Sequence, residues 1–86
     1  MQDLDLELIA RIAAGDEQAM TTFYERHKGL VGRLARHSGL SDADACELVQ
    51  EAFLRVWQAA HSFKGLSTVR SWLRGIVRLV MGRRTE

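Results

Sequence analysis

The chain has no proline and only one cysteine, Cys46, in its 86 residues. Without proline, no segment is barred from a helix interior. A lone cysteine excludes an internal disulfide and any cysteine-based metal cluster, which fits a reducing, cytoplasmic setting. No apolar run approaches the roughly 18 residues that a membrane span requires. The opening "MQDLDLELIARIAAGDE", Met1 to Glu17, is acidic where a secretory signal would be basic, so neither export nor membrane insertion is expected. The three histidines, His27, His37 and His61, are scattered and expected at the surface or at helix ends. With no carboxylate pair and no nucleophile beside a base, the expectation is a non-enzymatic chain without metal or cofactor.

Acid is also missing, but only from one part of the chain. Met1 to Glu51 holds ten acidic and five basic residues, whereas Ala52 to Thr85 holds seven basic ones (Arg55, Lys64, Arg70, Arg74, Arg78, Arg83 and Arg84) and no Asp or Glu. The net charge of +1 conceals this segregation. A cationic C-terminal part implies a polyanionic partner there and a different partner elsewhere.

What is present is helical patterning. Apolar residues recur every three to four positions, with no strand-like alternation, so the predicted fold is all-α, a single domain of about four helices over residues 5–14, 17–37, 42–60 and 68–83. A chain of this length buries little more than roughly 60% of its unfolded surface, enough for one core. Gly15 and Gly39 lie just past the first two helices; Asp16, the "SDAD" capping box from Ser41 to Asp44, and Thr68 stand at helix starts. In the second helix Met20, Phe23, Leu30 and Leu34 are expected inward, with Gly29 and Gly32 marking a close helix approach or a bend. Cys46, near the edge of the third helix's apolar face, is expected to pack.

In "CELVQEAFLRVW", Cys46 to Trp57, one residue is out of phase. Val49, Phe53, Val56 and Ala60 share one helix face and Glu47, Gln50, Glu51 and Gln58 the other, yet Leu54 falls among the polar set. Such a leucine is either an ordinary exposed side chain or the centre of a docking surface. In the fourth helix Val69, Trp72, Leu73, Ile76, Leu79 and Val80 form the expected apolar stripe, with Trp72 read as core. Arg70, Arg74 and Arg78, four residues apart, make one ridge whose like charges repel by a few tenths of a kcal/mol per pair. The ridge is either a solvated face or a nucleic-acid contact, and the absence of nearby acid favours nucleic acid. In the preceding loop "HSFKGLST", His61 to Thr68, Phe63 is either packed or a stacking platform for an unpaired base, with Lys64 beside it and Gly65 leaving the backbone open to a ligand.

The stretch "DACELVQEAFLRVWQAAHSFKGLSTVRSWLRGIVR", Asp44 to Arg78, resembles region 2 of bacterial RNA polymerase sigma factors of the extracytoplasmic function (ECF) group, and "ELIARIAAGDEQAMTTFYERHKGLVGRLARHSG" before it is similar to that group's opening helices. The resemblance implies that Glu47, Gln50, Glu51 and Leu54, bordered by Arg55, dock on the clamp helices of the largest catalytic subunit of core RNA polymerase. It also implies that the loop and last helix, through Phe63, Lys64, Arg70, Arg74 and Arg78, open and read the promoter's minus-10 element on the non-template strand. A possible anti-sigma factor is a further partner that it implies. Two positions depart from the group's pattern: Leu79 and Arg83 stand where Asn and Asp are usual, which bears on promoter preference. Glu47 stands where Asp is common. The linker and helix-turn-helix domain that read the minus-35 element are not among these residues, so the expectation is either a fragment or a chain that works without that contact. Two other readings of the residues are a stand-alone DNA-binding regulator and a protein-interaction module that titrates an inhibitor.

Overall fold

The computed structural model describes residues 3–84, the side chain of Arg84 excepted; the positive charge assigned to Arg84 therefore lies outside the described residues. Among the described residues four helices account for the fold: α1 (Leu4–Ala13), α2 (Glu17–His37), α3 (Asp42–Ala59) and α4 (Val69–Arg84), with a 3-10 turn at Ala60–Ser62. Among the described residues no helix is long and apolar enough to cross a membrane.

Each boundary has a local cause. Asp3 caps α1, its Oδ1 accepting from Asp5 N–H at 2.9 Å, so the helix starts one residue before the predicted 5. Gly15, at φ +90°, reverses the chain, and its N–H donates to the Ile12 carbonyl at 2.9 Å. Asp16 caps α2 through Ala19 N–H at 3.1 Å, and Arg11 Nε reaches its other oxygen at 2.9 Å. The Ala19 N–H and Arg11 together hold the Asp16 carboxyl below its ordinary value. Ser41 caps α3 through Asp44 N–H at 3.2 Å. That helix ends at Ala59, earlier than the predicted 60, because the chain tightens into the 3-10 turn, where Ser62 Oγ donates to the Ala59 carbonyl at 2.7 Å. Thr68 lies outside α4 as its cap, accepting from Ser71 N–H at 3.0 Å, so the helix begins at Val69 and not at the predicted 68.

The α2–α3 pair is the centre of the molecule; α1 packs on α2 and along the 3-10 turn, and α4 packs on α3 and more lightly on α2. Phe23, Leu8, Ile12, Leu48, Leu73, Val31, Val56 and Val77 are the largest fully buried side chains. Phe53 stands edge-on to both Phe23 and Tyr24, at centroid distances of 6.2 and 4.9 Å.

Several expected placements are corrected. The inward face of α2 is centred on Ala19, Phe23, His27, Val31 and Ala35, leaving Met20, Leu30 and Leu34 half-buried at its edges. Gly29 and Gly32 meet no neighbouring helix, since a methyl group added at either would touch nothing within 4 Å. Cys46 is exposed. In α4 the buried stripe runs through Val69, Leu73, Ile76, Val77 and Val80, while Leu79 is exposed and Trp72 only half-buried. His27 is not at the surface: it is 8% exposed, stacked on Phe23 at 4.5 Å, and its Nε2 lies 2.9 Å from Asp5 Oδ1.

Candidate docking face and nucleic-acid interface

The polar face of α3 carries Glu47, Gln50, Glu51 and Leu54, all exposed, with Arg55 half-buried beside them. Leu54 is 58% exposed although the neighbouring Ala52, Phe53 and Val56 are buried. The helix phase forces this, because α3 turns its Leu48, Ala52 and Val56 side inward. Trp57, three residues beyond Leu54, is also exposed and widens the apolar centre of this face. Trp57 is not among the residues expected from the sequence, although its i,i+3 spacing from Leu54 is a signal for it. A solvent-exposed Leu and Trp ringed by carboxylates and amides is the composition of a protein-binding patch, with aromatic and aliphatic anchors inside a polar rim.

At the other end of α3 the chain enters the loop. Phe63 meets Trp72 edge to face, with ring centroids 5.2 Å apart and planes at 63°. Together with Ser62, Lys64, Leu66 and Ser67 these rings line an open pocket of about 240 Å³. Gly65 takes φ +73° there, a conformation that a side chain would strain, and this turn leaves Leu66 90% exposed at the loop tip. Lys64 is exposed on the same rim. Leu66 is a second residue that the sequence reading left out; an apolar side chain in an otherwise polar loop was its only trace.

Arg70, Arg74 and Arg78 are all exposed, and none takes part in the ion pairs among the described residues, which join Arg11 to Asp16, Arg26 and His27 to Asp5, and Lys28 to Glu25. The row therefore stays available for an anion. Its position on α4 matters. At about 100° per residue, Arg74 lies about 200° around the axis from Trp72, and Arg78 about 240°. The aromatic pocket and the cationic row thus occupy different flanks of one helix. Arg74 and Arg78 instead border a second cavity of about 210 Å³, on the seam with the end of α2.

Two further features complete the surface. An open groove of about 510 Å³ between α2 and α3 is lined by Gly29, Gly32, Lys28, Asp42, Cys46 and Gln50 among others. On the far side of α2, Asp5 accepts from His27 Nε2 at 2.9 Å and from Arg26 Nε at 3.0 Å. Burial raises the Asp5 carboxyl, but these two hydrogen bonds and the partners' charges outweigh it and hold the group below its ordinary value. Among the described residues no cluster of His, Cys, Asp or Glu is grouped to hold a metal.

The sigma-70 region 2 family model matches residues 23–84. The ECF RNA polymerase sigma factor SigM of Mycobacterium tuberculosis is 38% identical over 73 residues, covering 85% of this chain and 37% of its own length. The ECF RNA polymerase sigma-E factor of Escherichia coli is 32% identical over 69 residues, covering 80% of this chain and 36% of its own. The RNA polymerase sigma factor NccH of Alcaligenes xylosoxydans xylosoxydans is 31% identical over 70 residues, covering 81% and 38%. The chain thus spans well under half the length of these curated relatives. Among solved structures, an engineered region 2 of sigmaE, determined by NMR in complex with GTAAAA, superposes with a TM-score of 0.84 at 25% identity, over 99% of this chain and 90% of that one. By its matching segment and its four-helix fold, the chain belongs to the sigma-70 region 2 family.

Proposed function

We propose that this chain is a non-enzymatic, cytoplasmic sigma module that docks on core RNA polymerase and captures the melted minus-10 element of a promoter. In this reading Glu47, Gln50, Glu51, Leu54 and Arg55 meet the clamp helices of the largest catalytic subunit, with Trp57 added to their apolar centre. Phe63, Lys64, Arg70, Arg74 and Arg78 hold the non-template strand. The observation that carries the reading is the molecule's two-sidedness: an exposed Leu54–Trp57 patch on α3, and an aromatic pocket with an acid-free cationic helix beyond it.

Physically, the loop pocket takes a base out of the duplex. Unstacking costs a few kcal/mol, and stacking on an aromatic side chain returns about 1 to 3 kcal/mol per base, so capture also needs phosphate contacts from the cations. Leu79, exposed where the ECF group usually has Asn, cannot hydrogen-bond a base edge; it offers apolar contact alone, and the promoter preference shifts accordingly. The same Leu54–Trp57 patch is the surface that an anti-sigma factor would cover to keep the module from polymerase.

The deciding experiment mixes the chain with purified core polymerase and then with DNA carrying a mismatched bubble around a minus-10-like strand. A ternary complex that forms on bubble DNA in preference to duplex supports the proposal. Absence of polymerase association, or preference for uninterrupted duplex, would reject it.

A further inference from the structure

The cavity on the α2–α4 seam has no part in the capture of an unpaired base at the loop. Its floor is apolar, made by Leu34, Val77 and Met81, while Arg74 and Arg78 stand on one rim and His37 and Ser38 on the other. Among the described residues no carboxylate lines it, in contrast to the α2–α3 groove, which includes Asp42.

The end of a helix is normally electronegative and hostile to an anion, because its last carbonyls are unpaired. Here three of those acceptors, the carbonyls of Leu34, Ala35 and Arg36, are already engaged. Ser38 N–H donates to the Ala35 carbonyl at 3.2 Å, Gly39 N–H to the Arg36 carbonyl at 3.0 Å, and Ser38 Oγ to the Leu34 carbonyl at 3.0 Å. A ligand entering the cavity therefore meets the two guanidiniums and the His37 ring as donors, over an apolar floor suited to a sugar.

We infer that His37, with Arg74 and Arg78, forms a seat for a DNA backbone phosphate on the flank of α4 away from the Phe63–Trp72 pocket, so that bound DNA straddles the helix. The inference rests on the DNA-binding role proposed above and adds a residue of α2 to it. A helix is about 10–12 Å across with its side chains, so the pocket and the seat belong to different nucleotides. The phosphate comes either from the same unpaired strand or from an adjoining duplex; the chemistry is the same.

The test is fluorescence anisotropy of the 86-residue chain with three labelled probes: a hexanucleotide, a longer single strand, and a fork with a duplex arm. His37→Ala and His37→Gln are expected to weaken the longer strand or the fork about three- to tenfold, the size of one or two lost hydrogen bonds, and to leave hexanucleotide binding unchanged. Whichever probe responds names the source of the phosphate. Arg78→Gln should lower the salt slope by about 0.7 if that source is single-stranded and about 0.9 if it is duplex. Phe63→Ala weakens all three probes. Equal binding of all probes by wild type and both His37 variants overturns the seat, as does an equal loss on the hexanucleotide with thermal unfolding unchanged. If the wild-type chain binds no probe at low salt, the DNA-binding role falls together with the seat; wild-type binding that both His37 variants match on every probe overturns the seat alone.

Discussion

His27 of α2 and Asp5 of α1 form a partly buried pair, with Nε2 and Oδ1 2.9 Å apart and the imidazole stacked on Phe23. This contact fastens the first helix to the second. Removing the carboxylate would leave the imidazole without its partner, so Asp5→Ala is expected to cost about 1–3 kcal/mol in urea unfolding, with Asp5→Asn less damaging. Because the folded carboxyl is held below its ordinary value, its contribution is fully present above the ordinary carboxylate range, about pH 4, and is lost as pH falls through the folded value. Thermal midpoints measured on the acid side should therefore drop more steeply for wild type than for Asp5→Asn.

Leu54 makes no contribution to the core, so Leu54→Ala should leave the thermal midpoint within the range of a neutral surface change. Titration against core polymerase should nevertheless show a loss of more than about 1 kcal/mol, and Trp57→Ala a loss at least as large. Unchanged affinity in both variants would leave the α3 face without a docking role.

Phe63→Ala removes one wall of the loop pocket. Affinity for a short single strand should fall by about 1–3 kcal/mol, while stability changes little, because the ring is only half-buried against Trp72. Trp72→Ala should damage both properties, since its indole packs against the core and also faces Phe63. Equal stability losses in the two variants would mean that Phe63 is a packing residue.

Arg74→Ala is expected to lower single-stranded DNA affinity and to flatten its salt dependence by about 0.7 on a log–log plot, the signature of one lost phosphate contact. A slope equal to that of wild type would mean that this guanidinium is merely solvated.

The helices were legible because their starts are marked by short oxygen-bearing side chains. Asp16, Ser41 and Thr68 each accept the backbone N–H that such a residue accepts at a helix start. The phase of α3 was legible in part: Leu54 stood out among polar residues, whereas Trp57, exposed on the same face, did not. Less could be read of α4, where both Leu79 and Val77 fit an apolar stripe; the choice between them depends on where α2 and α3 lie around the helix, which no local spacing encodes. His27 was missed for a related reason: its partner is 22 residues away, on another helix, so a polar side chain looked like a surface one until the fold brought Asp5 to it. The separation of the arginine row from Trp72 follows from their spacing along the helix, whereas the pairing of Phe63 with Trp72, which makes the pocket, depends on the path of the loop.

The packing of α1 along the 3-10 turn at Ala60–Ser62 makes the first helix a brace for the segment that leads into the aromatic pocket. Leu8, Ile9 and Ile12 point into the interior from that brace. Loosening them would tilt the platform on which Phe63 stands, so under the proposed DNA-binding role a weaker hold on an unpaired base is expected from changes at the opposite terminus of the chain.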